Sequence, residues 1–441
     1  MTNPAPSGVP SLPAAAPTIK RLLQLSIPAV VIGVVSALLL FAIEEVADLL
    51  ESVIWDAFPH AVGIDPDSGW WIFTLLSLTG LAVGLCLWLV PGHGGRDSAT
   101  TELIAPPLPV RALPSLALVA IIGMAGGVSL GPENPIIAIN TGLLVALVAR
   151  VWKAVPPALV IMITAAATIG ALFGTPVAAA LVFTGVVGGI AGGGALWDKL
   201  FLPLVAAAAG SITMTLLAHP SFAIPMPAYD SVQPVDVLSA AVIAVIAAAL
   251  GIAAAAVFPR LHGAFRLLGN PVLYVTAGGV VLGILGVIGG PITLFKGLAQ
   301  TGELVTNRAD YTATALVVIV LVKIVALTVA AAAGFRGGRI FPAVFIGTAV
   351  GVLANALLPG IPVSLAIAAG VLGMVLAIAR DGWIALFIAA AVTGSVVVLP
   401  VLCVAILPTW LLVSRAPEMI VHPTAPNPGP TYLPASGTVS H

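Results

Sequence analysis

The sequence predicts an all-α polytopic membrane protein made of two comparable halves with interrupted helices, and three observations carry that prediction. First, 60% of the 441 residues are hydrophobic and only 7% are charged, where a soluble domain carries roughly 25% charged residues. Second, the apolar residues fall into segments separated by short Gly, Pro and charge punctuation; about 265 of them would fill about thirteen spans of ~20 residues as an upper bound. Third, the longest polar stretch within the apolar region, 219–234, divides the chain in two.

The elements follow in order. Residues 1–18 are rich in Pro, Ala and Ser and bury too little apolar surface to offset chain entropy, so they are expected to form a flexible tail. Lys20 and Arg21 then precede an apolar run at 22–54, too long for a cleavable signal peptide and therefore expected to stay as the first span. Further segments at 70–90, 112–128, 134–150, 157–171, 174–191 and 200–218 complete a first membrane repeat, 19–218. The linker 219–234 contains Pro220, Pro225, Pro227, Asp230 and Pro234. A second repeat, 235–415, carries segments at 235–258, 272–289, 311–334, 341–357, 361–379, 383–396 and 398–414, and a Pro-rich tail, 416–441, is expected to be flexible. Several segments are too short to span alone. Helices that stop or start inside a bilayer are tolerated only where their backbone is buried in protein or lines a cavity.

Composition also excludes classes of function. Sixteen basic and 17 acidic side chains leave a net charge of −1, with no basic footprint for nucleic acid. Cys86 and Cys403 lie far apart in apolar stretches and read as small buried hydrophobes. A membrane enzyme or scaffold, the most distant alternative, would need a clustered catalytic set, yet His60, His93, His219, His262, His422 and His441 are scattered. No metal and no cofactor are expected. Lys20, Arg21 and Arg415 flank the first and last spans, which puts both termini on the cytoplasmic side by the positive-inside bias. Glu44, Glu45, Asp48 and Glu51 are expected at the membrane interface, Arg380-Asp381 as a local neutral pair, and Lys323 as a snorkelling lysine or a field source for anions.

The chemistry centres on Leu130-Gly131-Pro132-Glu133-Asn134-Pro135. Pro suits a first helical position, and the unpaired N–H groups of a helix start, with a dipole worth about +0.5 charge, favour an anion. Glu133 is the only acidic residue between Glu102 and Asp198; it reads as an internal substitute anion, or as a plain stabilising acid at a helix start. A second interruption, Phe335-Arg336-Gly337-Gly338-Arg339-Ile340-Phe341-Pro342, falls at a comparable distance into the second half. Gly/Pro-interrupted segments in corresponding places of two halves point to a midplane site. The loop Pro91-Gly92-His93-Gly94-Gly95-Arg96 by itself reads as a surface turn.

In this order and at these intervals, the three segments resemble the CLC family of chloride channels and proton-coupled chloride transporters, in particular a divergent bacterial branch of ion-transport proteins. The resemblance implies two inverted-topology repeats with broken and re-entrant helices, a homodimer with one pore per subunit in the cell (inner) membrane, and chloride or another small anion as the cargo amid membrane lipid. The family's Gly-Lys/Arg-Glu-Gly-Pro motif matches Gly131-Pro132-Glu133-Asn134-Pro135, so Glu133 would be the gating glutamate, with Gly131, Pro132 and Asn134 around the anion. Its Gly-x-Phe-x-Pro motif falls on Gly338-Arg339-Ile340-Phe341-Pro342, where the amides of Arg339 and Ile340 would bind the ion. Phe173-Gly174-Thr175-Pro176 is similar to its Phe-Asn-Ala-Pro segment, and 289–297 falls at its Gly-rich break.

Departures from the family bear on mechanism. The Gly-Ser-Gly-Ile-Pro loop matches only as Gly92-His93-Gly94-Gly95-Arg96, which puts His93 and Gly94 where a serine would coordinate the anion. The internal proton-delivering glutamate would fall on Gly185 or Val186, the pore tyrosine has no counterpart between Gly394 and Pro408, and no C-terminal CBS pair is expected. The expectation is therefore passive, channel-like anion permeation gated by Glu133. The alternative is a proton-coupled exchanger with an unusual proton route.

Overall fold

The computed structural model describes residues 19–153, 155–188, 195–220 and 222–422. The expected tail 1–18 lies outside the described residues, as does 423–441. The first half contains α1 (Ile19–Ser52), α2 (Phe58–Val62), α3 (Gly69–Leu89), α4 (Leu113–Ala125), α5 (Glu133–Val151), α6 (Pro157–Phe173), α7 (Pro176–Gly188) and α8 (Leu196–Ala218). The second contains α9 (Pro234–Arg266), α10 (Pro271–Gly289), α11 (Leu298–Thr306), α12 (Ala313–Ala332), α13 (Ile340–Leu357), α14 (Val363–Ala379), α15 (Gly382–Thr393) and α16 (Leu399–Val413). Proline opens α6, α7, α9 and α10, where its missing N–H costs nothing. Left-handed glycines at 174 and 394 close α6 and α15.

The halves repeat one packing scheme. In the first, α1 packs on α6 and α8, and α5 on α4 and α6; in the second, α9 packs on α14 and α16, and α13 on α12 and α14. Corresponding helices α3 and α10 pack on each other across the repeat boundary. Their backbones touch through Gly80 and Gly279, where an added Cβ on either would lie 2.9 Å from the other's Cα. Small residues allow this close approach, which is how helices associate where lipid removes the hydrophobic drive between them.

Eight helical stretches among the described residues are long and apolar enough to cross a membrane, and α4, α6, α14, α15 and α16 are apolar but shorter. Leucines at 216, 407 and 411 are exposed on α8 and α16, so the exterior is apolar like the core and the chain is a multi-pass membrane protein. Cys403 shares that exterior on α16, which corrects the expectation of a buried thiol. The C-terminal segment also departs from expectation. Residues 416–422 do not trail away: Met419 is 1% exposed and the Val421 amide donates to the Ala99 carbonyl at 2.8 Å.

Candidate functional site

The interruptions 126–132 and 333–339, which precede α5 and α13, pair with each other. The Gly131 amide donates to the Gly338 carbonyl at 2.8 Å and the Gly338 amide to the Gly131 carbonyl at 2.6 Å, an isolated antiparallel bridge. Both helix starts are thereby joined inside the protein. Each glycine also makes room for Glu133, since an added Cβ at either position would collide with Oε2 of that carboxylate.

Pro132 caps α5 and Glu133 is its first residue. The Glu133 side chain crosses to the other half. Oε1 accepts from the Phe341 amide at 2.9 Å, and the amides of Ile340 and of Glu133 itself also face the carboxylate. Glu133 is 1% exposed and Oε2 has no partner among the described residues. A buried carboxylate is tolerable there because the orphan N–H groups of α13 face it. The start of α5 offers few donors, because Pro132 and Pro135 carry no N–H and Gly131 spends its own on Gly338. The α13 start is the better anion cradle.

Aromatic rings wall this seat. Phe341 stacks on Phe173 at 6.1 Å with planes 4° apart, and lies 5.6 Å from Phe222. Two cavities flank the turn without including Glu133 in their linings. One, of 320 Å³, touches Asn134, Arg339 and Ile340, together with Glu102, Arg380, Glu418 and Met419. The other, of 490 Å³, touches Glu44, Asp48, Glu51, Lys296 and Phe222. Glu44, Asp48 and Glu51 therefore face a cavity rather than the membrane interface alone, whereas Glu45 is exposed outside it, and Glu44 Oε1 accepts from Lys296 Nζ at 3.0 Å.

The His93 ring and the Gly94 amide do not reach the Glu133 seat, while the Gly94 carbonyl accepts from Arg336 Nε at 3.0 Å, within the second interruption. The exposed His93 ring holds the Leu87 carbonyl through Nδ1 at 2.8 Å, and the Gly94 amide donates to Ser115 Oγ at 3.1 Å. Both donors are spent on tying the loop to α3 and α4. Ser98 stands at the turn instead: its buried hydroxyl accepts from the Gly337 amide at 3.1 Å, and its carbonyl accepts from Arg339 Nη2 at 3.2 Å. The signal for it was the polar run Asp97-Ser98-Ala99-Thr100 just beyond the Gly-rich loop, in which Asp97 caps a short 3₁₀ turn.

Charged residues around the turn are committed to structure. Asp97 accepts from Arg336 Nη1 at 3.2 Å and from Arg266, and contacts His262 at 3.1 Å. Burial works to raise the Asp97 pKa, but His262, Arg336 and Arg266 overcome it and hold the carboxyl well below its ordinary range. Arg336 is thus a buried partner and not a snorkelling side chain. Arg380 and Asp381 do not pair with each other. Asp381 caps α15 through the Trp383 and Ile384 amides, while Arg380 donates to the carbonyls of Val413 and Ala416 and lies 3.7 Å from Glu418. Among the described residues no group of His, Cys, Asp and Glu is arranged to hold a metal ion.

Comparison with known proteins gives this geometry a family. The model of the voltage-gated chloride channel family matches residues 79–413. The chain belongs to the CLC family. Its relatives include "Putative ion-transport protein YfeO" of Escherichia fergusonii, 46% identical over 406 residues that cover 92% of this chain and 97% of the relative. The protein of that name from Escherichia coli O9:H4 is 45% identical over 93% of this chain and 98% of its own length. Among solved structures, a CLC-type fluoride/proton antiporter superposes with a TM-score of 0.73 at 20% identity, covering 91% of this chain and 98% of that one. A slow cyanobacterial Cl−/H+ antiporter gives 0.74 at 18% identity, covering 89% and 96%. The CLC fold accounts for the two repeats, the short helices and the meeting of α5 with α13 at mid-chain breaks.

Proposed function

We propose that this CLC protein passes chloride or another small anion through the Glu133 turn, and that the Glu133 carboxylate is a tethered competitor for the anion's seat. The observation that carries the reading is the hydrogen bond from the Phe341 amide to Glu133 Oε1. An anion leaving water must be met by N–H donors, and here a carboxylate already occupies them. Displacing or protonating Glu133 would free those donors. The 320 Å³ cavity touches the turn at Arg339 and Ile340, and the 490 Å³ cavity lies against Phe222, whose ring packs on Phe341. Permeation in this reading is passive; the subunits pair as homodimers with one pore each, and both termini face the cytoplasm. Halide efflux from liposomes containing the purified protein tests it: anion flux that needs no pH gradient is the expected result, and no flux above empty liposomes would refute it.

A second reading is favoured by a specific observation. Glu133 Oε2 is buried without a hydrogen-bond partner among the described residues, an atom able to take a proton, and Glu102 and Glu418 line the Arg339-side cavity. These carboxylates would supply a route for proton-coupled exchange although Gly185 cannot carry a proton. The reversal potential in a proton gradient separates the readings: a value set by the anion gradient alone supports passive flow, and a proton-dependent shift supports exchange.

A further inference from the structure

Lys323 lies in the middle of α12, fully buried, and among the described residues no carboxylate forms an ion pair with it. Its ammonium has three N–H donors, and all three are taken by consecutive backbone carbonyls: Thr293 at 2.9 Å, Leu294 at 2.7 Å and Phe295 at 2.8 Å. The Phe345 ring of α13 completes the enclosure, 5.1 Å from Nζ. A buried lysine is costly unless every donor is satisfied. This one is satisfied entirely by one loop.

That loop is not at rest on its own. Three successive carbonyls converge on one point only where the backbone curls, and Phe295 sits at φ +57°, a conformation that bulky residues avoid and that persists only when surrounding contacts impose it. The curl has two consequences at the transport pathway. The Phe295 amide reaches the Gly127 carbonyl at 3.0 Å, inside the interruption that leads to Glu133. The next residue, Lys296, lines the 490 Å³ cavity, where among the described residues it is the only cationic side chain in the lining and stands against Glu44, Asp48 and Glu51. Without a fixed Lys296, an anion on that side meets three carboxylates alone.

We propose that Lys323 is a positioning residue for anion passage: through the carbonyls of Thr293, Leu294 and Phe295 it holds Lys296 in the cavity and Phe295 against the Glu133 turn. The inference rests on the reading that anions pass that turn. It adds a residue that touches neither the anion seat nor either cavity. The ammonium works as a built-in cation for the loop, as the Glu133 carboxylate works as a built-in anion for the seat.

The test is anion flux in liposomes, measured as half-saturating concentration and maximal rate for K296M, K323M and the double variant. Loss of one cationic charge at the mouth weakens anion recruitment about fivefold, so both single variants should raise the half-saturating chloride concentration by about that factor, and the double variant should raise it no further. A loosened core would lower the amount of active protein and hence the maximal rate, and would not reproduce the K296M shift. Chemical rescue gives a second measurement where K323M fails to fold. K323A leaves the three carbonyls facing a vacated chain, and ethylammonium should restore flux where tetramethylammonium, which has no N–H, does not. The proposal is overturned if K296M leaves half-saturation unchanged, if the single effects add in the double variant, or if both amines act alike. Absence of any flux in the wild-type protein would instead overturn the transport reading beneath it.

Discussion

Glu133 and Phe341, one at the start of α5 and the other in the first turn of α13, are joined by a 2.9 Å hydrogen bond from the Phe341 amide to the Glu133 carboxylate. The two residues come from opposite repeats, so the bond depends on both halves being folded together. The Gly131–Gly338 bridge sets the distance at which it forms.

Removing the carboxylate is the first prediction. Glu133→Ala should raise anion flux at neutral pH by about tenfold or more, the factor carried by ~1.5–3 kcal/mol of hydrogen bonding to a charged group. Wild-type flux should rise on acidification, because a neutral carboxyl competes less well for amide donors, and the E133A and E133Q rates should be flat with pH. Liposome efflux between acid and neutral pH measures this directly. Equal flux in wild type and E133A at every pH would rule out the gate.

Gly338 makes the second. A Cβ there would overlap Oε2 and Cδ of Glu133 and sit 3.1 Å from its Cβ. Gly338→Ala should therefore destabilise the protein by about 1–3 kcal/mol through overpacking. The G338A/E133A double variant should recover most of that loss, because truncating the glutamate removes the colliding atoms. Thermal unfolding in detergent of the four proteins gives the coupling.

The residues at this turn differ in how far the sequence announces them. Glu133 and the helix start at 340–342 are visible in a short window as an isolated carboxylate and a Pro-bounded break, but the resemblance puts the ion on the Arg339 and Ile340 amides, whereas the Phe341 amide makes the bond to Glu133. The two repeats follow from apolar segments about a polar divide. Ser98 is not visible in that way. Its partners Gly337 and Arg339 lie more than 200 positions downstream, and the Gly-rich loop at 92–95 offers a more conspicuous match five residues earlier. Lys323 looks like a snorkelling lysine because its acceptors are backbone carbonyls, which leave no trace in a side-chain pattern. Met419 falls in a stretch whose composition resembles a tail, yet a backbone bond from Val421 to Ala99 ties that stretch down.

The third prediction separates Ser98 from His93. Ser98→Ala removes the acceptor of a buried backbone amide, which costs about 1–3 kcal/mol, and should lower anion flux by loosening Gly337 beside the Glu133 seat. His93→Ala removes the ring's bond to the Leu87 carbonyl and should cost about 0.5–1.5 kcal/mol, with flux close to wild type. A larger loss in H93A than in S98A would return the role to the histidine loop.

Asp97 provides the fourth, and its sign follows from the direction of its shift. The carboxyl lies outside the predicted spans, in the connection between α3 and α4, and burial, which by itself raises its pKa, is outweighed by His262, Arg336 and Arg266. A carboxyl whose folded pKa is depressed stabilises the fold fully above its unfolded value of about 4 and loses that contribution as pH falls below it. Wild type should thus hold its Asp97-dependent stability unchanged from neutral pH down to about pH 5. Asp97→Asn should be less stable across that range by about 3 kcal/mol, since it strands Arg336 and Arg266 without a counter-charge. The gap between D97N and wild type should begin to narrow as pH falls below about 4, where the unfolded carboxyl takes a proton that the native one still resists. Because Arg336 also holds the Gly94 carbonyl at 3.0 Å and adjoins Gly337, D97N should lower flux at all pH values without creating a new pH dependence between pH 5 and 8. Unfolding midpoints and efflux rates across that interval decide it: a D97N deficit that appears only at alkaline pH would mean that the cluster is held by some group other than the Asp97 charge.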